Sequence, residues 1–126
     1  MKRVLVCGGR DYDDYERVKG VLDKLLDWCG GRSGLIIIQG MAPGADNLAR
    51  RWAEDNGVET IGFRASWNLY GKRAGYIRNA QMLDEGKPDL VIAFPGGAGT
   101  NMMVKLSIAA CIQTIRIPDS KAALVQ

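Results

Sequence analysis

Histidine is absent from the 126-residue chain. Its absence excludes Ser-His-Asp and Cys-His catalysis, zinc sites built on histidine, and any switch that relies on an imidazole titrating near neutral pH. Cysteine is scarce as well, because the three cysteines, Cys7, Cys29 and Cys111, lie far apart and form no CxxC pair. This spacing indicates neither a disulfide framework nor a zinc cluster, so we expect a reducing compartment and no bound metal.

Long apolar runs are also lacking. No stretch approaches the ~18 apolar residues that a membrane span needs, and the apolar run between Arg3 and Gly8 is too short for the core of a signal peptide. We therefore expect a soluble, cytoplasmic protein with no membrane partner. The net charge of +3 is small, and it does not by itself imply a nucleic-acid partner.

Glycine, by contrast, is abundant, with 16 residues in 126 against a usual share of about 7%. The glycines lie in clusters between apolar runs rather than in low-complexity tracts. The apolar share of 47% and the charged share of 25% are typical of a globular protein. A chain of this length suits one domain, which we expect to cover residues 1–126.

Four short, continuous apolar runs predict β-strands that are covered on both faces, as in a parallel sheet. These runs are residues 4–7, 35–38, 89–94 and 114–117, and a weaker, alternating run over 58–63 suits an edge strand. The helical patterns between them show apolar residues at i, i+3 and i+4. The predicted helices lie around 18–26, around 48–53 with a stop at 56–57, over about 72–85, and from Thr100 to about Cys111.

Alternating strands and helices predict an α/β fold. We expect a Rossmann-like, doubly wound sheet of about five mostly parallel strands with helices on both faces. Asp13 and Glu16 are expected to form a capping box at the start of the first helix.

Three of the predicted strand-to-helix turns are rich in glycine. They follow the first, second and fourth strands and read GGRD at 8–11, GMAPGAD at 40–46 and PGGAGT at 95–100. In doubly wound sheets the ligand lies beyond the carboxyl ends of the strands, so these turns predict a binding site. Glycine lets a ligand approach the backbone closely, but it also serves simply to turn the chain tightly. The convergence of three such turns on one edge of the sheet favours the interpretation as a ligand-binding site.

The third turn is the most informative. Thr100 is expected to cap the following helix, whose free backbone N–H groups would form an anion site suited to phosphate. The turn is not a dinucleotide fingerprint, because Met102 stands where a third glycine or alanine belongs. Gly71-Lys72 lacks the rest of a Walker A motif. Ordinary NAD binding and P-loop hydrolysis are therefore weak candidates.

Four motifs in this order, GGRDY, GMAPGADNLARRWA, ASWNLYGKRAGYIRNAQM and AFPGGAGT, resemble the YspA-type, cpYpsA-related branch of the SLOG superfamily, which is related to the LOG and SMF/DprA proteins. The resemblance extends from Val4 to about Ile117. It implies a Rossmann-like domain that binds nucleotides or nucleotide-derived signals. Relatives in the superfamily often self-associate, which leaves a homo-oligomer open.

The segment 64–78 contains no acidic residue and four cations, Arg64, Lys72, Arg73 and Arg78, whereas the rest of the chain carries a net charge of −1. Three aromatic residues are interleaved with these cations: Trp67, Tyr70 and Tyr76. Cations suit phosphates and flat rings suit a base. Taken one at a time, however, these aromatic residues have a simpler structural explanation. The segment would be the solvated start of a helix, and Trp67 would be buried as its anchor.

Arg78 matches the arginine that the LOG-type pattern places opposite its PGGxGT loop. The resemblance therefore implies Arg78 and Asn79 as ligand contacts, with Lys72 or Arg73 as a phosphate partner. The cations could instead bind single-stranded nucleic acid, as in the DprA relatives, but one patch with few aromatics supports this weakly. The candidate ligand-binding residues are Gly8, Gly9, Arg10, Asp11, Gly40, Gly44, Ala45, Asp46, Lys72, Arg73, Arg78, Asn79, Pro95, Gly96, Gly97, Gly99 and Thr100.

Two acidic residues have both a structural and a functional explanation. Asp11 follows the first glycine turn, and it could bind a ribose hydroxyl or cap the turn. Asp46 falls in the first turn of the second helix, where the helix dipole favours a carboxylate and Arg50 lies four residues on. Its place in the GAD motif leaves a functional role open.

The enzyme alternative depends on a residue that is missing. LOG-type phosphoribohydrolases continue PGGxGTxxE, and Met103 stands at the position of that glutamate. Methionine neither exchanges a proton usefully nor carries charge, and without histidine any base would have to be Asp11 or Asp46. Cys7 at the end of the first strand is better explained by packing than by nucleophilic chemistry. The sequence thus favours a binding or sensor module for a nucleotide-type ligand, with no other cofactor indicated.

Overall fold

The structure is a computed structural model that describes residues 1–119. Residues 120–126 of the expected domain lie outside this range. The strands are β1 (Lys2–Cys7), β2 (Leu35–Gln39), β3 (Glu59–Gly62), β4 (Leu90–Ala93) and β5 (Gln113–Arg116). The helices are α1 (Tyr15–Trp28), α2 (Ala45–Asp55), α3 (Trp67–Tyr70), α4 (Ala74–Gly86) and α5 (Ala98–Ala109), and two 3₁₀ turns cover Arg32–Gly34 and Gly71–Arg73.

The five strands form one sheet in the order β3-β2-β1-β4-β5, and every neighbouring pair is parallel. This order confirms the predicted Rossmann-like, doubly wound α/β fold. The chain moves outward in one direction from β1 to β3 and then crosses back to β4, so the order reverses between β1 and β4. At such a point the two connections diverge and leave a crevice at the carboxyl ends of the strands.

The core consists of two layers, one on each face of the sheet. Along β1, the side chains of Val4 and Val6 pack in the layer that contains Trp52 of α2, whereas Leu5 and Cys7 pack in the layer that contains Met82 of α4. Because successive side chains of a strand point to opposite faces, a strand buried on both faces must be apolar throughout. The continuous apolar runs of β1, β2 and β4 follow from this arrangement. The run at 114–117 was expected to be covered on both faces, but it forms the edge strand β5, which is mostly exposed.

The main differences between the predicted and the observed secondary structure lie at the starts of the helices. Asp14, not Asp13, caps α1, and its carboxylate accepts a hydrogen bond from the Arg17 N–H at 3.1 Å. The third helix, predicted over about 72–85, agrees with α4, but the structure adds a separate single turn, α3, before it. Gly71, with a positive φ of +59°, separates the two helices. Within residues 1–119, no helix combines the length and the apolar character that crossing a membrane requires.

Candidate ligand-binding site

A cavity of about 620 Å³ opens at the reversal point of the sheet, beyond the carboxyl ends of β1 and β2 and beside the start of α5. Its volume lies within the range of ~300–1,000 Å³ that is usual for small-molecule sites. The turns after β1, β2 and β4 contribute to its wall, and α3 and α4 complete it. The structure therefore brings the three glycine-rich turns together around one space.

The candidate residues divide into two sets by their position at this cavity. Those that line it are Gly8, Gly9, Arg10, Gly40, Asp46, Lys72, Arg78, Asn79, Gly97, Gly99 and Thr100. Those that do not line it are Asp11, Gly44, Ala45, Arg73, Pro95 and Gly96.

Several of the glycines allow the turns to pack against one another. The Gly9 N–H donates to the Pro95 carbonyl at 2.9 Å, and the Gly9 carbonyl accepts from the Ala45 N–H at 3.1 Å. A Cβ on Gly8 would lie 2.6 Å from the Cβ of Ala45. At Gly44, whose φ is +80°, a Cβ would collide with the Gly9 carbonyl oxygen. These glycines are required by the close approach of neighbouring backbone segments.

Gly97 and Gly99 are different, because a Cβ on either would meet nothing within 4 Å. Gly97 is the N-cap residue of α5, and no described side chain caps this helix. The first backbone N–H groups of a helix have no acceptor within it, and the helix dipole adds a partial positive charge there. The start of α5 thus presents unshielded donors beside the cavity.

Thr100 does not cap α5, contrary to expectation. The helix begins at Ala98, so Thr100 lies inside its first turn, where its side chain is buried. A Cβ on Gly96 would collide with the Thr100 hydroxyl, so Thr100 packs against the turn. The helix starts earlier than predicted because Gly97 itself takes the non-helical cap conformation, with φ of −103° and ψ of −142°.

Arg78 and Asn79 on α4 connect the second turn to the third. The Arg78 Nη1–H donates to the Gly40 carbonyl at 2.7 Å, and its Nε–H donates to the Asn79 Oδ1 at 3.0 Å. The Asn79 amide in turn donates to the Gly99 carbonyl at 3.4 Å. Burial lowers the pKa of Arg78 and the neighbouring Arg10 lowers it further, whereas Asp46 raises it. An arginine remains charged in such a setting, so the guanidinium is a fixed cation in the cavity wall.

Asp46, in the first turn of α2, stabilises the second glycine-rich turn through hydrogen bonds to its backbone. Its Oδ2 accepts hydrogen bonds from the Gly40 N–H at 3.0 Å and from the Ala42 N–H at 3.3 Å. Burial raises the pKa of this carboxyl to about 6, although both hydrogen bonds and the charges of Arg78 and Arg10 oppose the rise. The two hydrogen bonds give Asp46 a structural role, which is to hold the second turn in its conformation. The carboxylate also interacts electrostatically with Arg78 and Arg10, which line the cavity.

The raised pKa of Asp46 predicts a specific dependence of stability on pH. The folded protein binds this proton more tightly than the unfolded chain, in which the carboxyl has its ordinary pKa of 3.8. The free energy of unfolding should therefore fall as the pH rises from about 4 through about 6, by up to ~3 kcal/mol from this group. Asp46→Asn should remove that fall, as measured by urea unfolding of both proteins between pH 4 and pH 8. Parallel profiles for the two proteins would contradict the assignment.

The cavity wall carries a strong excess of positive charge. Four cations line it, Arg10, Arg64, Lys72 and Arg78, and Asp46 is the only acidic residue among its lining residues. The ion pairs found within residues 1–119 are Lys19–Asp23, Arg50–Glu54 and Arg51–Asp55, all of them on α1 and α2. None of these pairs involves a cavity cation, and the Asp46 carboxylate offsets only part of the charge of the four cations, so the site has a net positive potential that suits an anionic ligand.

The expectation that Trp67 is a buried anchor is wrong. Its side chain is 47% exposed and lines the cavity together with Tyr76, whereas Tyr70 does not line it. The Arg10 guanidinium lies over the Trp67 ring, 5.8 Å from its centroid. The physical reason is that α3 is a single turn with no buried residue, so it rests on the outside of the domain rather than in the core.

Sequence reasoning missed the apolar part of the wall. Four of the five methionines of the chain line the cavity: Met41, Met82, Met102 and Met103. Methionine is flexible and polarizable, and it is common at adaptable binding surfaces. Cys7 also lines the cavity, and burial raises the pKa of its thiol to about 12, which leaves it protonated at neutral pH. Among residues 1–119, no cluster of three or more side chains is placed to hold a metal ion.

The fold and the cavity define the class of protein: a Rossmann-like α/β domain with an open crevice at the reversal point of its sheet. A model of the YspA, cpYpsA-related SLOG family (YAcAr) matches residues 2–70. The Gene 61 protein of Mycobacterium phage D29 is 37% identical over 130 residues, which cover 94% of this chain and 98% of that protein. The chain belongs to the YspA, cpYpsA-related SLOG family, as the four motifs predicted.

A solved structure with a similar fold is that of DNA processing protein A (DprA) from Streptococcus pneumoniae. It matches with a TM-score of 0.72 and 17% sequence identity, over 94% of this chain and 51% of that chain. The chain thus spans about half the length of the DprA chain. The likeness confirms the Rossmann-like fold.

Proposed function

We propose that this chain is a binding module for a nucleotide or a nucleotide-derived signal, with the phosphate of the ligand at the start of α5. The observation that carries the proposal is the uncapped first turn of α5, open at Gly97 and Gly99, beside a cavity that is lined, within residues 1–119, by four cations and one carboxylate, that of Asp46. Backbone N–H groups at a helix start and guanidinium groups are the donors that phosphate oxygens prefer.

The membership of the SLOG family supports the same proposal, since the resemblance implies nucleotide-type ligands. The charge distribution supports it independently. Within residues 1–119, four cations and one carboxylate line the cavity, so a neutral ligand would leave an excess of positive charge there, whereas a phosphate would offset it. The apolar wall of methionines and aromatic rings is suited to the remainder of a nucleotide.

Hydrolysis of the ligand is not favoured by the side chains at the cavity. Met103 is buried and lines the wall where the LOG-type pattern has its glutamate. The carboxylate of Asp46 already accepts two backbone hydrogen bonds, so it is engaged in holding the second turn. We therefore expect no free base when the protein is incubated with nucleoside monophosphates, as monitored by chromatography.

Single-stranded DNA is the other candidate ligand, and the printed name of the DprA structure concerns DNA processing. The four cations at the site line a cavity, which suits a compact ligand better than a polynucleotide. A short oligothymidine therefore belongs in the test as a competing ligand.

The proposal predicts saturable binding of at least one member of a nucleotide panel. Isothermal titration calorimetry with AMP, ADP, ADP-ribose and cyclic AMP should give a one-to-one isotherm for one or more of them. The affinity should weaken as salt is raised, because charge contributes to it. Inorganic sulfate at the same concentration serves as the control for a non-specific anion effect. Absence of binding throughout the panel, with a folded protein by circular dichroism, would contradict the proposal.

A further inference from the structure

Exposed aromatic and apolar side chains are concentrated beside the cavity. Within residues 1–119, the exposed large hydrophobic residues between positions 67 and 76 are Trp67, Leu69, Tyr70 and Tyr76. The short helix α3 and the 3₁₀ turn after it contribute no buried residue to the core. Clustered exposed apolar groups that the core does not require are typical of a binding surface. This segment therefore has a role other than packing.

The Trp67 indole lies close to Gly75 in the first turn of α4. A Cβ built on Gly75 would lie in ordinary van der Waals contact with both neighbours, 3.4 Å from the Trp67 Cη2 and 3.8 Å from the Arg78 Nη2. The indole ring therefore lies against α4, near the guanidinium of Arg78. Arg10 approaches the same ring from the turn after β1. The indole is positioned by three separate elements at the edge of the charged part of the cavity.

Trp28 provides an internal comparison. It is also exposed, at 69%, and it also has a cation nearby, since the Lys2 ammonium lies 5.5 Å from its ring centroid. Trp28 does not line the cavity. A cation near an exposed indole is therefore not enough to mark a site. What distinguishes Trp67 is that it lines the same cavity as the four cations and the four methionines.

We propose that the exposed surface of the Trp67 indole is the stacking surface for the base of the ligand, so that the ligand class is a nucleotide with an intact planar base rather than a sugar phosphate or an inorganic phosphate. This inference rests on the proposed function, because the phosphate must occupy the charged part of the same cavity. Tyr76 and the methionines Met41, Met82, Met102 and Met103 supply the apolar surroundings of the base. Stacking does not read the base edges, so discrimination between bases should be weak.

The test compares base-bearing with base-free ligands. For the wild-type protein, AMP should bind more tightly than ribose 5-phosphate, and ADP more tightly than inorganic pyrophosphate, by about 5- to 150-fold, the range that base–aromatic stacking supplies. Both pairs are measured by isothermal titration calorimetry under identical salt. Each pair keeps the same number of phosphates. AMP and ribose 5-phosphate differ in the base alone, so their ratio isolates the base, whereas ADP and pyrophosphate differ in the base and the ribose together.

Variants of Trp67 test whether this residue is responsible for the preference for base-bearing ligands. Trp67→Ala should reduce the affinity for the base-bearing ligands by about 5- to 150-fold and leave the affinity for the base-free ligands unchanged, which also shows that the variant is folded. Trp67→Phe should recover most of the loss, because it retains a stacking ring. The matched control is Trp28→Ala, which removes a second exposed indole that lies near a lysine and should change neither affinity.

The outcomes separate this inference from the proposed function. If base-free ligands bind the wild-type protein as tightly as their base-bearing counterparts, the stacking assignment is overturned while phosphate binding stands. An equal loss for both ligand classes in Trp67→Ala also overturns it, since the role of Trp67 would then be structural. Failure of every ligand to bind contradicts the proposed function and the stacking assignment together.

Discussion

Gly99→Asp is expected to abolish nucleotide binding without destabilising the protein, and the loss of affinity should be at least ~100-fold. Gly99 lies in the first turn of α5, and a Cβ there would meet nothing within 4 Å, so the fold accepts a side chain. The new carboxylate would lie where the proposed phosphate binds. Two like charges about 4 Å apart repel by ~4 kcal/mol at an effective dielectric constant of 20, which is more than enough for that loss.

The same substitution should leave the melting temperature unchanged or raise it. A carboxylate in the first turn of a helix interacts favourably with the helix dipole, by ~0.3–1 kcal/mol, and replacing a helical glycine reduces the entropy lost on folding. Binding and stability are thus predicted to move in opposite directions, which an unfolding artefact cannot produce. Gly99→Ala is the neutral control and should lose little affinity. Undiminished affinity in Gly99→Asp would show that the anion does not bind at α5.

Arg78→Ala is expected to weaken nucleotide binding by about 10- to 100-fold, the equivalent of one or two charge-assisted hydrogen bonds. The variant also removes the donor to the Gly40 carbonyl and the cation nearest to the buried Asp46. We therefore expect a loss of ~1–3 kcal/mol in the free energy of unfolding as well. Calorimetry measures the first effect, and urea unfolding measures the second.

Two further variants separate charge from geometry at this position. Arg78→Lys retains the positive charge but not the planar set of donors, so it should recover only part of the affinity. Lys105→Ala removes one positive charge from an exposed position on α5 that does not line the cavity, and it should bind as the wild-type protein does. If Lys105→Ala and Arg78→Ala weaken binding equally, the effect is one of net charge, and Arg78 is not a ligand contact.

The parallel sheet and its inner strands agree with the prediction because a strand that is buried on both faces has to be apolar throughout. An apolar run did not distinguish the exposed edge strand β5 from these inner strands. The runs at 4–7 and 35–38 are apolar throughout, and they form the buried central strands β1 and β2. Helix starts were less predictable. Asp13 and Asp14 both carry a carboxylate that suits an N-cap, and only the backbone conformation selects Asp14.

The sequence predicted which turns form the candidate site, but not which of their residues pack against one another and which are open to a ligand. Gly8 and Gly99 look alike in the sequence, yet Gly8 is packed against Ala45 whereas Gly99 is open. The difference depends on which distant backbone segment passes nearby, and local sequence does not contain that information. Met82 and Met103 were equally ambiguous, because a buried methionine in a cavity wall and one in a closed core follow the same helical spacing.

Trp67 is another residue whose position could not be predicted from the sequence, in this case because it is exposed rather than buried. Large aromatic side chains are buried in most proteins, so a buried anchor was the reasonable expectation. The indole remains exposed because α3 is one turn long and lies outside the two core layers. The length of that helix is set by Gly71, whose left-handed conformation could not be inferred from its neighbours.

The most direct test of the account is a titration followed by ¹H–¹⁵N correlation spectra, with the tightest-binding nucleotide of the calorimetric panel as the probe. The account predicts saturable shifts of the backbone amides of Ala98, Gly99 and Thr100 at the start of α5, together with the indole N–H of Trp67. The indole N–H signals of Trp28 and Trp52 serve as internal controls and should stay unchanged. A saturable titration that moves other amides and leaves the start of α5 unperturbed would contradict the central claim.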